Sequence, residues 1–227
     1  MHDIKKINVM EGILDENDHI AHHVKDHMTA HGILVVNEMG APGVGKTTTL
    51  KNIISRLNGL KPYVIEGDIE SDIDTQALND LGIDTHQINT FGACHLDAPM
   101  IDHMIDHMKF DEKGILFIEN IGNLVCPAEF SIGEHVKMLI STVTEGSDKP
   151  YKYPLAFEKA DVIILNKVDL IPYLDFDEDF FMKGVRALNK EVPVFKVSGK
   201  TGEGFDAVAE WFMNKAKALE VKPHHHD

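Results

Sequence analysis

Gly40-Ala41-Pro42-Gly43-Val44-Gly45-Lys46-Thr47 occupies every fixed position of the pattern G-x-x-x-x-G-K-[ST], and it lies between an apolar run, Ile33 to Val36, and a helix-like stretch. Strand, loop and helix thus follow in the order that a phosphate-binding loop requires. Glycines allow backbone turns that a Cβ forbids, so successive amide N–H groups converge on phosphate oxygens. The helix starting near Lys46 adds the positive end of its dipole at the same point. The register assigns Lys46 to the β- and γ-phosphates and the Thr47 hydroxyl to Mg²⁺, with Thr48 in the same first turn. Gly40 through Thr48 is therefore the expected cradle of a nucleoside triphosphate.

A second motif reads the base. Asn166-Lys167-Val168-Asp169 closes the apolar run Val162 to Leu165 and matches the N-K-x-D signature of guanine-nucleotide proteins. A carboxylate at Asp169 accepts from both guanine N1–H and the 2-amino group, a pair that adenine does not offer. GTP is favoured over ATP. Ser198-Gly199-Lys200, after Val192 to Val197, resembles the S-A-K element that packs beside guanine, with Gly in place of Ala.

Ile115-Leu116-Phe117-Ile118-Glu119 has the form of a Walker B strand, which directs Glu119 toward the bound Mg²⁺. The loop Glu66-Gly67-Asp68-Ile69-Glu70-Ser71-Asp72-Ile73-Asp74 is dense in carboxylates. It leaves the end of a strand expected beside the phosphate loop, which favours an active-site role. A solvated turn with a helix cap at Ser71 or Asp72 accounts for the same residues.

Apolar runs alternate with helical patterns: Ile33 to Val36, Tyr63 to Ile65, His86 to Ile88, Ile115 to Ile118, Met138 to Val143, Val162 to Leu165 and Val194 to Val197 read as strands. That rhythm predicts an α/β fold, a largely parallel sheet with helices on both faces and nucleotide chemistry at the carboxyl ends of the strands. Residues 1–32 are expected to form an N-terminal helical extension, 33–220 a single nucleotide-binding domain and 221–227 a tail. Gly146 to Pro154 reads as the most loop-like insertion.

With 22 basic and 37 acidic side chains in 227 residues, the formal charge of −15 argues against nucleic acid or an anionic membrane as a partner. No apolar run reaches membrane-span length and the start lacks a secretory apolar region, so a cytoplasmic location is expected. The two cysteines then suggest metal or catalytic chemistry more than a disulfide. Cys94 and His95 are adjacent, and Cys126 follows the Walker B strand. Two thiolates and an imidazole suit Zn²⁺ or Ni²⁺ and fall short of a closed tetrahedral structural site. A pair of buried free cysteines is the structural alternative.

At these residues the chain resembles the HypB family, SIMIBI-class P-loop GTPases that help deliver nickel to [NiFe] hydrogenase. The resemblance runs through Gly40 to Thr47, Gly67-Asp68, Cys94-His95-Leu96-Asp97-Ala98, Glu119 to Ala128, Thr144-Glu145-Gly146, Asn166 to Asp169 and Lys200 to Gly204. It implies slow GTP hydrolysis and GTP-dependent homodimerisation. It also implies that Cys94, His95 and Cys126 bind Zn²⁺ or Ni²⁺ near the dimer interface. Asp68 and Asp74 match switch carboxylates for Mg²⁺ and the attacking water, and Lys152 stands where relatives present a lysine to the partner subunit's nucleotide. The implied partners are a small nickel metallochaperone and the immature hydrogenase large subunit. A Cys-x-x-Cys-Gly-Cys start and the long His-rich tract of some relatives are not found, and Pro99 stands where others have a further histidine.

Two other functions compete. A urease-directed cousin is expected to show Cys-Pro-His, where this chain has Cys126-Pro127-Ala128. A metal-storage or sensor protein with a vestigial nucleotide fold is opposed by the intact Lys46, Thr47 and Asp169. Among 14 histidines, His19, His23 and His27 recur every four residues, as do His103 and His107. Such pairs chelate metals, but their polar surroundings fit an exposed helix face. His224 to His226 is set aside from fold reasoning.

Overall fold

Strands buried on both faces read as continuous apolar runs, and these runs form the sheet. A computed structural model describes residues 9–67, 83–90 and 92–220. Its strands are β1 (Ile33–Gly40), β2 (Lys61–Glu66), β3 (Asp84–Gln87), β4 (Gly114–Glu119), β5 (Val136–Thr142), β6 (Val162–Asn166) and β7 (Val194–Lys196). They make one 7-stranded sheet in the order β3-β2-β4-β1-β5-β6-β7, and every pairing is parallel.

Helices cover both faces. On one, Leu34, Val36, Phe117 and Ile140 pack against α2 (Lys46–Ile54) and α8 (Phe205–Glu220) through Leu50, Ile53, Phe205 and Phe212. The opposite face is shared by two helix groups. Ile33, Val35, Tyr63 and Ile118 meet α1 (Val9–Ala30) and α3 (Ala98–Ile105). Met39, Leu139 and Ile163 meet α6 (Pro154–Lys159) and α7 (Glu178–Leu188). The short helices α4 (Cys126–Glu129) and α5 (Lys149–Lys152) lie in the connections after β4 and β5. α1, the expected extension, sends Val24 and Met28 fully into the core. Asn17 ties it to two neighbours, donating to the Ser131 carbonyl at 2.8 Å and accepting from the Ala98 amide at 3.0 Å.

Several expectations are corrected. The acidic loop does not leave a strand beside the phosphate loop, because β4 separates β2 from β1. Gly146 to Pro154 is not loop throughout: it holds α5 and starts α6, with Pro150 and Pro154 in first turns, where a missing N–H costs no hydrogen bond. β1 continues past Val36 to Gly40, carrying Asn37 and Glu38 into a fully buried strand. Those polar residues interrupt the apolar pattern from which the strand was read. β3 covers Asp84–Gln87 instead of His86 to Ile88.

Candidate functional site

The cleft is built where β1 and β6 deliver their loops. Gly45 caps α2 with φ 94°, a conformation that favours glycine, and a Cβ there would lie 2.7 Å from the Asn166 amide nitrogen. Glycine lets the two loops touch. Asn166 Nδ2 donates to the Val44 carbonyl at 2.9 Å, and its Oδ1 accepts from the amides of Lys167 at 2.7 Å and Gly199 at 3.0 Å. Lys167, itself at φ 62°, donates Nζ to the Gly43 carbonyl at 2.7 Å. Asn166 and Lys167 thus tie the base loop to the phosphate loop.

Asp169 is oriented from behind. Ser198 donates its hydroxyl to Asp169 Oδ1 at 2.7 Å and accepts the Thr201 amide at 3.2 Å. Gly45, Thr48, Asn166, Lys167, Asp169, Leu170, Gly199 and Lys200 line a cleft of about 460 Å³, large enough for a nucleoside.

Across the phosphate loop, Thr47 Oγ1 lies 3.4 and 3.3 Å from the two carboxylate oxygens of Glu119. Adjacent oxygens around octahedral Mg²⁺ sit about 3 Å apart, given bonds of about 2.1 Å, so this pair fits one edge of a magnesium shell. Lys46 is buried beside it. Register places Glu38 and Glu66 on either side of Glu119. Glu38 is fully buried, and neither of its carboxylate oxygens has a hydrogen-bond partner among the described residues. Burial pushes its carboxyl well above the usual range; the Glu119 and Glu66 charges add to this, and Lys46 partly opposes it.

The soft ligands meet on the other side of the Walker B exit. Cys94 Sγ is 3.3 Å from His95 Nδ1 and 3.3 Å from Cys126 Sγ, and the ligand atoms all lie within 4.8 Å of one another. The His95 ring stacks on Phe130, with centroids 4.3 Å apart and planes at 25°. Burial lowers the His95 pKa against the opposing charges of Asp97 and Glu129, which favours the neutral imidazole, the form able to ligate a metal. The hydrogen bond with Cys94 pushes the Cys126 thiol up, with burial adding to it. Three converging donors leave room for an exchangeable position on a bound ion.

Side-chain amides, whose roles the sequence does not announce, join the two sites. Asn120 Oδ1 accepts from the Leu96 amide at 3.0 Å, and Asn120 Nδ2 donates to Asn37 Oδ1 on β1 at 3.0 Å. Asn123 donates to the Cys94 carbonyl at 3.3 Å and pairs with Gly40 at the start of the phosphate loop. Sequence reasoning assigned no role to Glu38, Asn37, Asn120, Asn123 or Phe130; an amide directly after a Walker B acid is the available signal. Lys152 lies on α5, exposed and paired with Asp148 at 2.6 Å, and is not among the cleft-lining residues. Asp68 and Asp74 fall outside the described residues, as does the His224 to His226 tail.

Residues 34–196 match the family described as CobW/HypB/UreG, nucleotide-binding domain. Hydrogenase maturation factor HypB of Azotobacter vinelandii is 42% identical over 208 residues, spanning 91% of this chain and 69% of that protein. The hydrogenase/urease maturation factor HypB of Helicobacter pylori strain J99 is 35% identical, over 94% of this chain and 89% of its own length. The crystal structure of Helicobacter pylori HypB in complex with nickel superimposes with a TM-score of 0.85 at 33% identity, covering 93% of this chain and 100% of that one. HypB from Archaeoglobus fulgidus gives 0.84 at 34% identity, over 89% of this chain and 100% of its own. The signal recognition particle receptor FtsY of Elizabethkingia anophelis shares the fold at a TM-score of 0.53 and 16% identity, over 84% of this chain and 64% of that one. With the loops Gly40 to Thr47 and Asn166 to Asp169 at the carboxyl ends of one parallel sheet, the chain belongs to the CobW/HypB/UreG family and is similar over 91% of its length to a HypB hydrogenase maturation factor.

Proposed function

We propose that this chain is a GTP-hydrolysing metallochaperone, which binds GTP with Mg²⁺ and uses its nucleotide state to hold or release Ni²⁺ destined for a hydrogenase large subunit. The observation that carries this reading is the segment from Glu119 to Cys126. It begins at the carboxylate facing Thr47 and ends at a metal-binding thiol, with Asn120 and Asn123 bonded to the Cys94 loop between them. A shift of that segment on loss of the γ-phosphate changes the sulfur geometry, which supplies the differential contact that coupling requires.

In the nucleotide reaction, the loop amides and Lys46 hold the β- and γ-phosphates, and Asp169 with Ser198 selects guanine. Mg²⁺ on Thr47 and Glu119 supplies charge neutralisation between the phosphates. Asp68 and Asp74, matched to the family's switch carboxylates, would help hold Mg²⁺ and orient the attacking water. Lys152 serves the partner subunit's nucleotide in a GTP-dependent homodimer. Cys94, His95 and Cys126 take Ni²⁺ as cargo, or Zn²⁺, which suits the same donors. A small nickel metallochaperone is the partner that exchanges the metal.

Sizing the protein with GDP and with a non-hydrolysable GTP analogue, with and without Ni²⁺, while assaying bound metal, tests this reading. A dimer with the analogue and a shift in nickel affinity between nucleotide states are expected. Equal nickel affinity in both states removes the coupling. The Helicobacter pylori relative's name favours a second reading, in which the delivered nickel also serves urease; transfer to each apo-enzyme distinguishes the two.

A further inference from the structure

We propose that His27, half-buried in the last turn of α1, and His31, exposed in the turn directly after it, form a second metal site, an imidazole chelate for Ni²⁺ or Zn²⁺ separate from the cysteine site. His19, His23, His27 and His31 recur at four-residue spacing, which places them in a row along one side of the helix.

That row runs along a seam. α1 and α3 lie side by side in the same direction: Asn17 bonds to Ala98, His23 Nδ1 lies 3.2 Å from Asp102 Oδ1, and the His31 ring is 6.4 Å from that of Phe110. His23 thus meets α3 through Asp102, His31 meets Phe110 in the segment after α3, and His27 lies between them with the rings of His23 and His31 as its neighbours. The His27 and His31 ring centroids are 4.8 Å apart, against 6.0 Å for His23 and His27. Imidazoles on adjacent positions of an ion, with metal–nitrogen bonds of about 2.1 Å, place their ring centres about 4.6 to 5.3 Å apart across octahedral to tetrahedral angles. The His27–His31 separation falls in that interval, and the His23–His27 separation does not.

The tautomer is also set. His31 Nδ1 lies 3.0 Å from the His27 carbonyl. A carbonyl only accepts, so Nδ1 carries the hydrogen and Nε2 keeps its lone pair. A backbone carbonyl on the far ring nitrogen is the usual support of a metal-ligating histidine. Asp102 stands 3.2 Å from His23 in the same row, and the chain's net charge of −15 favours divalent cations at its surface. Two protein ligands bind more weakly than the three of the thiolate site, so the ion here is exchangeable.

His103 and His107 provide a built-in comparison: their centroids are also 4.8 Å apart, but no carbonyl among the described residues bonds to either ring. The test uses the full chain carrying Cys94→Ala, Cys126→Ala, His224→Ala, His225→Ala and His226→Ala, which removes the thiolates and the terminal histidines. NiCl₂ is titrated by calorimetry and by paramagnetic broadening of the imidazole Hε1 signals. Saturable binding of one ion, with His27 and His31 broadened first, is expected. His27→Asn with His31→Asn weakens it at least tenfold, and His103→Asn with His107→Asn less than threefold. Absence of saturable binding, earlier broadening at other histidines, or equal losses in the two double variants overturns the proposal.

Discussion

Asn166 and Lys167 grip the phosphate-loop carbonyls of Val44 and Gly43 at 2.9 and 2.7 Å, whereas Cys94 and Cys126 meet through a sulfur contact of 3.3 Å between two connecting loops. At the guanine end, backbone groups and buried amides fix the site, so its shape precedes its ligand. At the thiolate end, Cys94 is exposed, and amides from Asn120 and Asn123 hold the loops from behind. On the proposed function, the nucleotide would find a built cradle, and a metal ion would complete its own site between Cys94, His95 and Cys126. Rigidity on one side and adaptability on the other is what a device needs if nucleotide state is to act on a metal, because the softer site is the one that moves.

Lys46→Ala attacks the rigid side and is expected to have the largest effect. GTP turnover should fall about 1000-fold, the loss typical of removing a charge-stabilising donor, while nickel affinity stays within twofold. Phosphate release and equilibrium dialysis measure the two quantities, and a parallel loss of nickel would erase the distinction between the ends. Asp169→Asn comes next. It removes the charged acceptor of the guanine N–H pair, so GTP affinity should drop about 100-fold, with xanthosine triphosphate partly restoring binding in competition assays.

Cys126→Ala sharpens the contrast from the soft side, with nickel affinity falling about tenfold or more and GTP affinity nearly unchanged. Loss of both would make Cys126 structural. The pH dependence adds to this. The Cys126 thiol is pushed up, so the proton it must release stays bound to higher pH than on an ordinary cysteine. Nickel affinity should therefore rise with pH, by about tenfold per unit for each thiol proton displaced, and Cys126→Ala should flatten that slope by one proton. His95, held neutral by burial, adds no proton release over the same range.

The smallest effect belongs to Glu38. Its folded-state pKa is raised, so its contribution to stability is fully present below the ordinary carboxyl range. That contribution is lost as pH climbs toward the folded value, at up to about 1.4 kcal/mol per pH unit. Glu38→Gln, neutral throughout, should melt a few degrees higher at pH 8, at about 2–4 °C per kcal/mol, with the gain shrinking toward pH 5. Thermal denaturation at the two pH values checks it; an equal shift at both would mean that Glu38 is not holding a proton.

The cleft lined by Gly45, Asn166 and Asp169 was legible in the chain because its two motifs are contiguous, each a loop between a strand and the element after it. Gly40 to Thr47 and Asn166 to Asp169 need only their own strands to be placed correctly. Cys94, His95 and Cys126 were identified as donors in the sequence, but soft side chains in separate segments do not announce that they converge. The linear pattern also hid Glu38, since a carboxylate inside a strand reads as the strand's end, and it set the acidic loop beside the wrong neighbour.

Local order along the chain determined the loops Gly40 to Thr47 and Asn166 to Asp169, because each is a single turn between a strand and the element after it. Strand order, the burial of Glu38, the amides of Asn120 and Asn123 that link the sites, and the meeting of sulfurs from two loops were decided by the tertiary structure. Each depends on β4 inserting between β1 and β2, a long-range packing choice that no short-range pattern encodes.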